Sequence, residues 1–214
     1  MLKLHAAGRA APLPGATVGS GADVFIAELL VVVDSGHFGL SQPRHWMSIV
    51  VDNVIQIVIW PSMARRLTAK SDAVFALVKQ LRADGVPINR IGAQGHLDTK
   101  YGFPSPMQQN LQRFGNLGLK VALTEVDIRT TLPVTTPEQL AQNADYSQTL
   151  GACLLVRQCI SCAVWGFGDA YSWVPGVFAG EGSASIYDES LQPKTQYYAL
   201  QQVLSLAGGA PHRG

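Results

Sequence analysis

The chain has 214 residues, 47% of them hydrophobic and 14% charged, with a net charge of +1. That is enough apolar material for one large core, and it excludes a disordered chain. No Lys/Arg run marks a nucleic-acid or anionic-membrane partner, and the longest apolar runs fall far short of the ~20 residues that span a bilayer.

The amino-terminal part, to about residue 68, resists assignment. Met1-Leu-Lys-Leu-His-Ala has a lysine but no following apolar core, so no signal peptide is expected here. Residues 6–22 are rich in Ala, Gly and Pro and read as a lead-in. Val24 to Val33 is apolar apart from Glu28. Ile49 to Ile59 is rich in β-branched residues and reads as one strand ending before Pro61.

After Thr68 the pattern becomes orderly. Ser71 is a candidate cap for a helix from Asp72, with Val74, Leu77, Val78 and Leu81 on one face and Gly85 as its stop. Ile88 to Leu97 reads as a strand. Residues 98–106 form a Gly/Pro loop, and Pro106 suits a first helical position before Leu111 and Phe114. Val121-Ala-Leu-Thr-Glu-Val-Asp-Ile128 is a second apolar strand. Thr136 to Gln139 has capping-box spacing, and Leu140, Ala144, Ser147, Leu150 and Leu154 carry a helical stripe. Ala163-Val-Trp165 is a third strand, followed by an aromatic loop and a last helix from about Lys194 to Leu206. Strands alternating with amphipathic helices predict a parallel sheet with helical crossovers, an α/β fold.

The unusual residues fall where such folds bind ligands, at the carboxyl ends of strands. Glu125 sits inside an apolar strand, where a carboxylate loses hydration unless it is paired or used. Strict alternation places Glu125 and Asp127 on the face of Val121 and Leu123, with Ala122, Thr124, Val126 and Ile128 opposite. Gln94 and His96 share a face of the preceding strand. Trp165 and, across the loop, Asp169, Tyr171 and Trp173 close the group. A neutral His96 held by Asp127 would donate to Glu125 and keep it ionised as a nucleophile. Flat indole faces suit sugar rings, so the constellation suits a retaining glycosidase. Asp169 reads as a hydrogen-bonder of the loop. Trp165 has a barrel-core alternative, and Trp173 a loop-anchor alternative against Tyr171. The chain has three cysteines. Cys159 and Cys162 form a CxxC without histidines at zinc spacing, so no metal is expected, and no cofactor either.

Residues 69–205 resemble the carboxyl-terminal part of family-10 glycoside hydrolases, the endo-1,4-β-xylanases. The matching pieces are Gly85-Val-Pro-Ile-Asn-Arg-Ile-Gly-Ala-Gln-Gly-His-Leu97, Ala122-Leu-Thr-Glu-Val-Asp-Ile128, the Cys153 to Cys159 spacing, Ala163-Val-Trp-Gly-Phe-Gly-Asp-Ala-Tyr-Ser-Trp173, and Tyr187-Asp188 followed by Gln192-Pro-Lys194. The resemblance implies a partial (β/α)8 TIM barrel, comprising the last three βα units and the preceding helix. It divides the chain into an unassigned region 1–68, the barrel part 69–207 and a tail 208–214. It implies Glu125 as nucleophile, with His96 and Asp127 as its support, and Gln94, Trp165 and Trp173 as binders of xylan or xylo-oligosaccharides. It pairs Cys153 with Cys159 in a disulfide, which puts the parent enzyme outside the cell, and leaves Cys162 free.

The family's acid/base is a glutamate preceded by asparagine. No Asn-Glu dipeptide occurs in this chain, and the acids before the match are Asp23, Glu28, Asp34 and Asp52. A fragment is therefore expected, arising from a truncated or frame-shifted reading of a xylanase gene and impaired in hydrolysis. Its alternative is a non-catalytic carbohydrate-binding fragment. An incomplete barrel is also expected to self-associate, unless Ile49 to Ile59 covers its edge.

Overall fold

In the computed structural model, residues 48–51, 54–57 and 67–208 are described. The Ala/Gly/Pro-rich lead-in, the Val24 to Val33 run and the tail beyond residue 208 lie outside them. The first described element corrects a sequence expectation. Ile49 to Ile59 is not one strand but two, β1 (Ser48–Val51) and β2 (Val54–Ile57), paired antiparallel. The residues between them are Asp52 and Asn53, which favour turns over strands.

From β2 onward, strand and helix alternate. Helix α1 (Leu67–Ala83) leads to β3 (Arg90–Asp98), α2 (Met107–Asn116) to β4 (Lys120–Thr131), and α3 (Thr136–Leu154) to β5 (Cys159–Val164). β2, β3, β4 and β5 are parallel and adjacent in chain order. Right-handed crossovers between sequential neighbours put the connecting helices α1, α2 and α3 on one face of the sheet, the arrangement of a barrel arc. Ile55 pairs with Ile91, so β2 covers the edge of β3 that three strands would have left open.

Beyond β5 come α4 (Val174–Val177), β6 (Glu181–Gly182) and α5 (Thr195–Gly208). β6 pairs antiparallel with the end of β4, at Thr130 and Thr131.

The core lies between the sheet and the helices. Val74 and Val78 of α1, Leu111 and Phe114 of α2, and Ile91, Val121, Leu123, Val126 and Ile128 of the strands are all buried. Burying each such side chain stabilises the fold by about 1.5–3 kcal/mol.

Three helix expectations change. α1 begins before Ser71, whose hydroxyl donates to Asn110 Oδ1 at 2.7 Å and so ties α1 to α2 instead of capping. Leu77 is exposed. α3 is capped one residue earlier than Thr136: Thr135 and Glu138 satisfy each other's backbone N–H groups.

The stripe of α3 is also different. Its buried face carries Gln142, Asp145, Tyr146, Thr149, Leu150 and Cys153, while Leu140 and Leu154 are exposed. Gln142, Tyr146 and Thr149 can be buried there because their ends meet backbone carbonyls. Gln142 Nε2 donates to Ser183 O at 2.6 Å and Tyr146 Oη to Ala184 O at 2.6 Å. A buried polar group with its partner in place costs little. Cys153 at the end of α3 is joined by a disulfide to Cys159 at the start of β5, and Cys162 is free.

Candidate active site

β3 and β4 run side by side, and their alternate residues build a polar ladder. β3 alternates without interruption. Ile91, Ala93, Gly95 and Leu97 turn to the helices, and Gln94, His96 and Asp98 turn to the other face. β4 does not alternate throughout. Ala93 pairs with Leu123, but Gln94 pairs with Glu125, so Thr124 is an extra residue in the register. Such a bulge reverses the phase of a strand. Val121 and Leu123 before it face the helices, and so do Val126 and Ile128 after it. Glu125 and Asp127 are thereby on the face opposite Val121 and Leu123. This corrects the strict alternation expected from sequence.

Three cross-strand rungs result: Gln94 with Glu125, His96 with Asp127, and Asp98 with Arg129. Both oxygens of Glu125 are held. Gln94 Nε2 donates to Oε1 at 2.6 Å, and His96 Nε2 lies 3.2 Å from Oε2. The other ring nitrogen, His96 Nδ1, lies 2.9 Å from Asp127 Oδ1. Asp127 Oδ2 accepts from the indole of Trp173 at 2.6 Å. The Glu125 side chain keeps 16% of its surface, against 3% for Asp127. Of the two carboxylates, Glu125 is the one a ligand can reach.

The charge of His96 differs from expectation. Its two nitrogens each face a carboxylate oxygen, which accepts hydrogen bonds and cannot donate them when ionised. Burial alone pulls the imidazole pKa down. The hydrogen bonds to Asp127 and Glu125 and the attraction of both charges together outweigh it, and the pKa rises from 6.5 to about 9. At neutral pH His96 is an imidazolium and not the neutral ring expected.

The aromatic residues frame this group. Trp173 meets His96 edge-to-face at 5.0 Å and Trp165 does so at 6.4 Å. Trp165 is half-exposed on this arc of the barrel. Trp173 is held by its hydrogen bond to Asp127. Asp169 behaves as expected of a loop hydrogen-bonder: it accepts from Ser185 N at 2.8 Å and pairs with Lys194 Nζ at 2.7 Å. No group of three or more potential metal ligands occurs among the described residues.

The match to known proteins covers this ladder. The family profile described as glycosyl hydrolase family 10 matches residues 52–203. The chain belongs to glycoside hydrolase family 10. An endo-1,4-beta-xylanase of Agaricus bisporus is 48% identical over 132 residues, covering 62% of this chain and 39% of that protein. Endo-1,4-beta-xylanase 1 of Humicola insolens is 39% identical, covering 64% of this chain and 32% of its own length. Among solved structures, xylanase 10B of Thermotoga petrophila in complex with xylobiose superposes with a TM-score of 0.65 at 34% identity, over 72% of this chain and 46% of that one. The chain thus spans about a third to two fifths of the curated relatives it matches. The parallel strands and single helical layer described above are part of the family's (β/α) barrel.

The sequence reading missed part of the same ladder. Asp98 and Arg129 form the third rung, and Glu181 of β6 joins them. The signal was present: the alternation that selects Gln94 and His96 continues to Asp98, and the one that selects Glu125 and Asp127 continues to Arg129. The charge pair is hidden because Arg129 lies beyond the apolar stretch that defines the strand in the sequence.

Proposed function

We propose that this chain carries the nucleophile half of a retaining endo-1,4-β-xylanase site. One carboxylate oxygen of Glu125 attacks the anomeric carbon of a β-1,4-linked xylose unit, and water later releases the glycosyl-enzyme. The observation that carries the reading is the way Glu125 is held. Gln94 and the His96 imidazolium donate to its two oxygens, favouring the ionised form, while its side chain stays reachable. Asp127 fixes the ring of His96 and offsets its charge. Trp165 and Trp173 supply flat apolar faces for xylose rings. A full-length relative's activity further supports xylan or xylo-oligosaccharides as substrate, and the Cys153–Cys159 disulfide is consistent with an extracellular parent enzyme.

No Asn-Glu dipeptide occurs in the chain. Protonation of the leaving oxygen therefore has no donor of the family's kind within it. General acid catalysis contributes about 10²–10⁴-fold, and hydrolysis of unactivated xylan by this chain is slowed accordingly.

The test uses a substrate that needs no acid: a 2-deoxy-2-fluoro-xyloside with dinitrophenolate as leaving group. Attack forms the bond from Glu125 to the anomeric carbon and breaks the bond to the aryl oxygen, which departs as the anion. Intact-mass and peptide mass spectrometry are expected to find the label on Glu125, and none in Glu125→Ala. Binding of xylo-oligosaccharides without any label would replace this reading with a non-catalytic carbohydrate-binding one.

A further inference from the structure

The third rung of the ladder takes no part in the attack proposed above, yet it is nearly as buried as the rest. Arg129 and Asp98 are 6% and 3% exposed. Arg129 Nη2 lies 3.0 Å from Asp98 Oδ2, and Arg129 Nε lies 2.5 Å from Glu181 Oε2. Lys100 pairs with the other oxygen of Glu181. The guanidinium carbon stands 4.0 Å from the centroid of the Phe178 ring. Phe178 in turn meets Trp173 edge-to-face at 5.6 Å, and Trp173 donates to Asp127.

Trp173, Phe178 and Glu181 belong to one segment, residues 173–182, with α4 as its only helix. α4 has four residues, too few to hold a conformation by itself. The segment is placed from outside by the two-residue pairing of β6 with β4, by the burial of Val174, by Lys100 on Glu181, and by Arg129, which grips its carboxylate and its ring together. A guanidinium does both at once through a planar fork that pairs with the carboxylate while its face stacks on the ring; an ammonium is a point charge without fork or face.

We propose that Arg129 is a positioning residue for the nucleophile. By holding Glu181 and Phe178 it seats Trp173 against Asp127 Oδ2, which leaves Oδ1 to His96 and so fixes His96 on Glu125. The part that concerns attack rests on the reading of Glu125 as nucleophile; the seating of Trp173 does not.

The test uses the full chain. Arg129→Lys keeps the charge and loses the fork and the stacking. Phe178→Leu breaks the relay at its middle and leaves the ion pairs intact, so it serves if the first variant does not fold. The chain has four tryptophans, whose indole N–H groups give separate signals in ¹⁵N-correlated NMR spectra, with Trp173 assigned through Trp173→Phe. In both variants the Trp173 signal is expected to move upfield as its bond to a carboxylate weakens, while the other three stay. Labelling of Glu125 by the fluoro-xyloside is expected to slow roughly 10- to 100-fold, the scale set by small misplacements at a reacting centre. An unmoved Trp173 signal overturns the proposal. So does a general shift of all four indoles, or unchanged labelling despite a moved signal. If the unaltered chain takes no label but the Trp173 signal moves as described, the nucleophile reading fails and the seating of Trp173 by Arg129 stands.

Discussion

The charge on His96 can be measured as stability against pH. A rise from 6.5 to about 9 on folding corresponds to about 3 kcal/mol. The folded-state pKa lies above that of the unfolded chain, so the folded protein holds a proton that the unfolded chain has lost between about pH 6.5 and 9. The stabilisation is therefore complete below about pH 6.5 and is lost as pH rises through about 9. His96→Gln removes the titration and leaves a neutral donor of similar reach. Urea unfolding followed by tryptophan fluorescence, at about pH 6 and about pH 10, gives the stability gap between the two proteins at each pH. The gap is expected to shrink by about 3 kcal/mol from the lower pH to the higher, equivalent to roughly 6–12 °C in Tm for a chain of this size. Titrating groups away from His96 are common to both proteins and cancel in the difference, and for Glu125 and Asp127, which touch it, both pH values lie above the ordinary carboxylate range. A gap that does not change with pH would mean that His96 is neutral in the folded protein, and the reading of it as an imidazolium between two carboxylates would be wrong.

Other consequences are open to the same measurement. Asp145 is buried on α3, and burial pushes its pKa from 3.8 up to about 6. Here too the folded protein binds the extra proton, so stability falls as pH rises from about 4 to about 6. Asp145→Asn is expected to flatten that part of the profile and to stabilise the protein above about pH 7 by up to about 3 kcal/mol. Lys194 Nζ has Asp169 Oδ2, Ser183 O, Ser183 Oγ and Ser185 O all within 2.9 Å, four oxygens around its three N–H donors. Lys194→Met keeps the stem but strands the buried Asp169 carboxylate, and is expected to cost about 3–5 kcal/mol in urea unfolding at neutral pH.

The order of elements and the identity of the central residues are legible in the sequence. Alternating apolar strands and amphipathic helices require a parallel sheet, and a carboxylate in an apolar strand demands a partner. Those two facts, with the family motifs, were sufficient to bring Gln94, His96, Glu125 and Asp127 together before any distance was known. The geometry of that group was decided elsewhere. The extra residue at Thr124 is a property of the pairing between β3 and β4, because a bulge exists only relative to a partner strand. The sequence of β4 read alone therefore put Glu125 on the wrong side of Val121 and Leu123. The charge of His96 follows from two carboxylates meeting one ring, which no single strand encodes. The buried face of α3 was misread for a related reason. Gln142 and Tyr146 look like surface residues until the carbonyls of Ser183 and Ala184, some forty residues on, arrive to satisfy them. Local chemistry named the residues, and contacts distant in sequence set their faces, their charges and their partners.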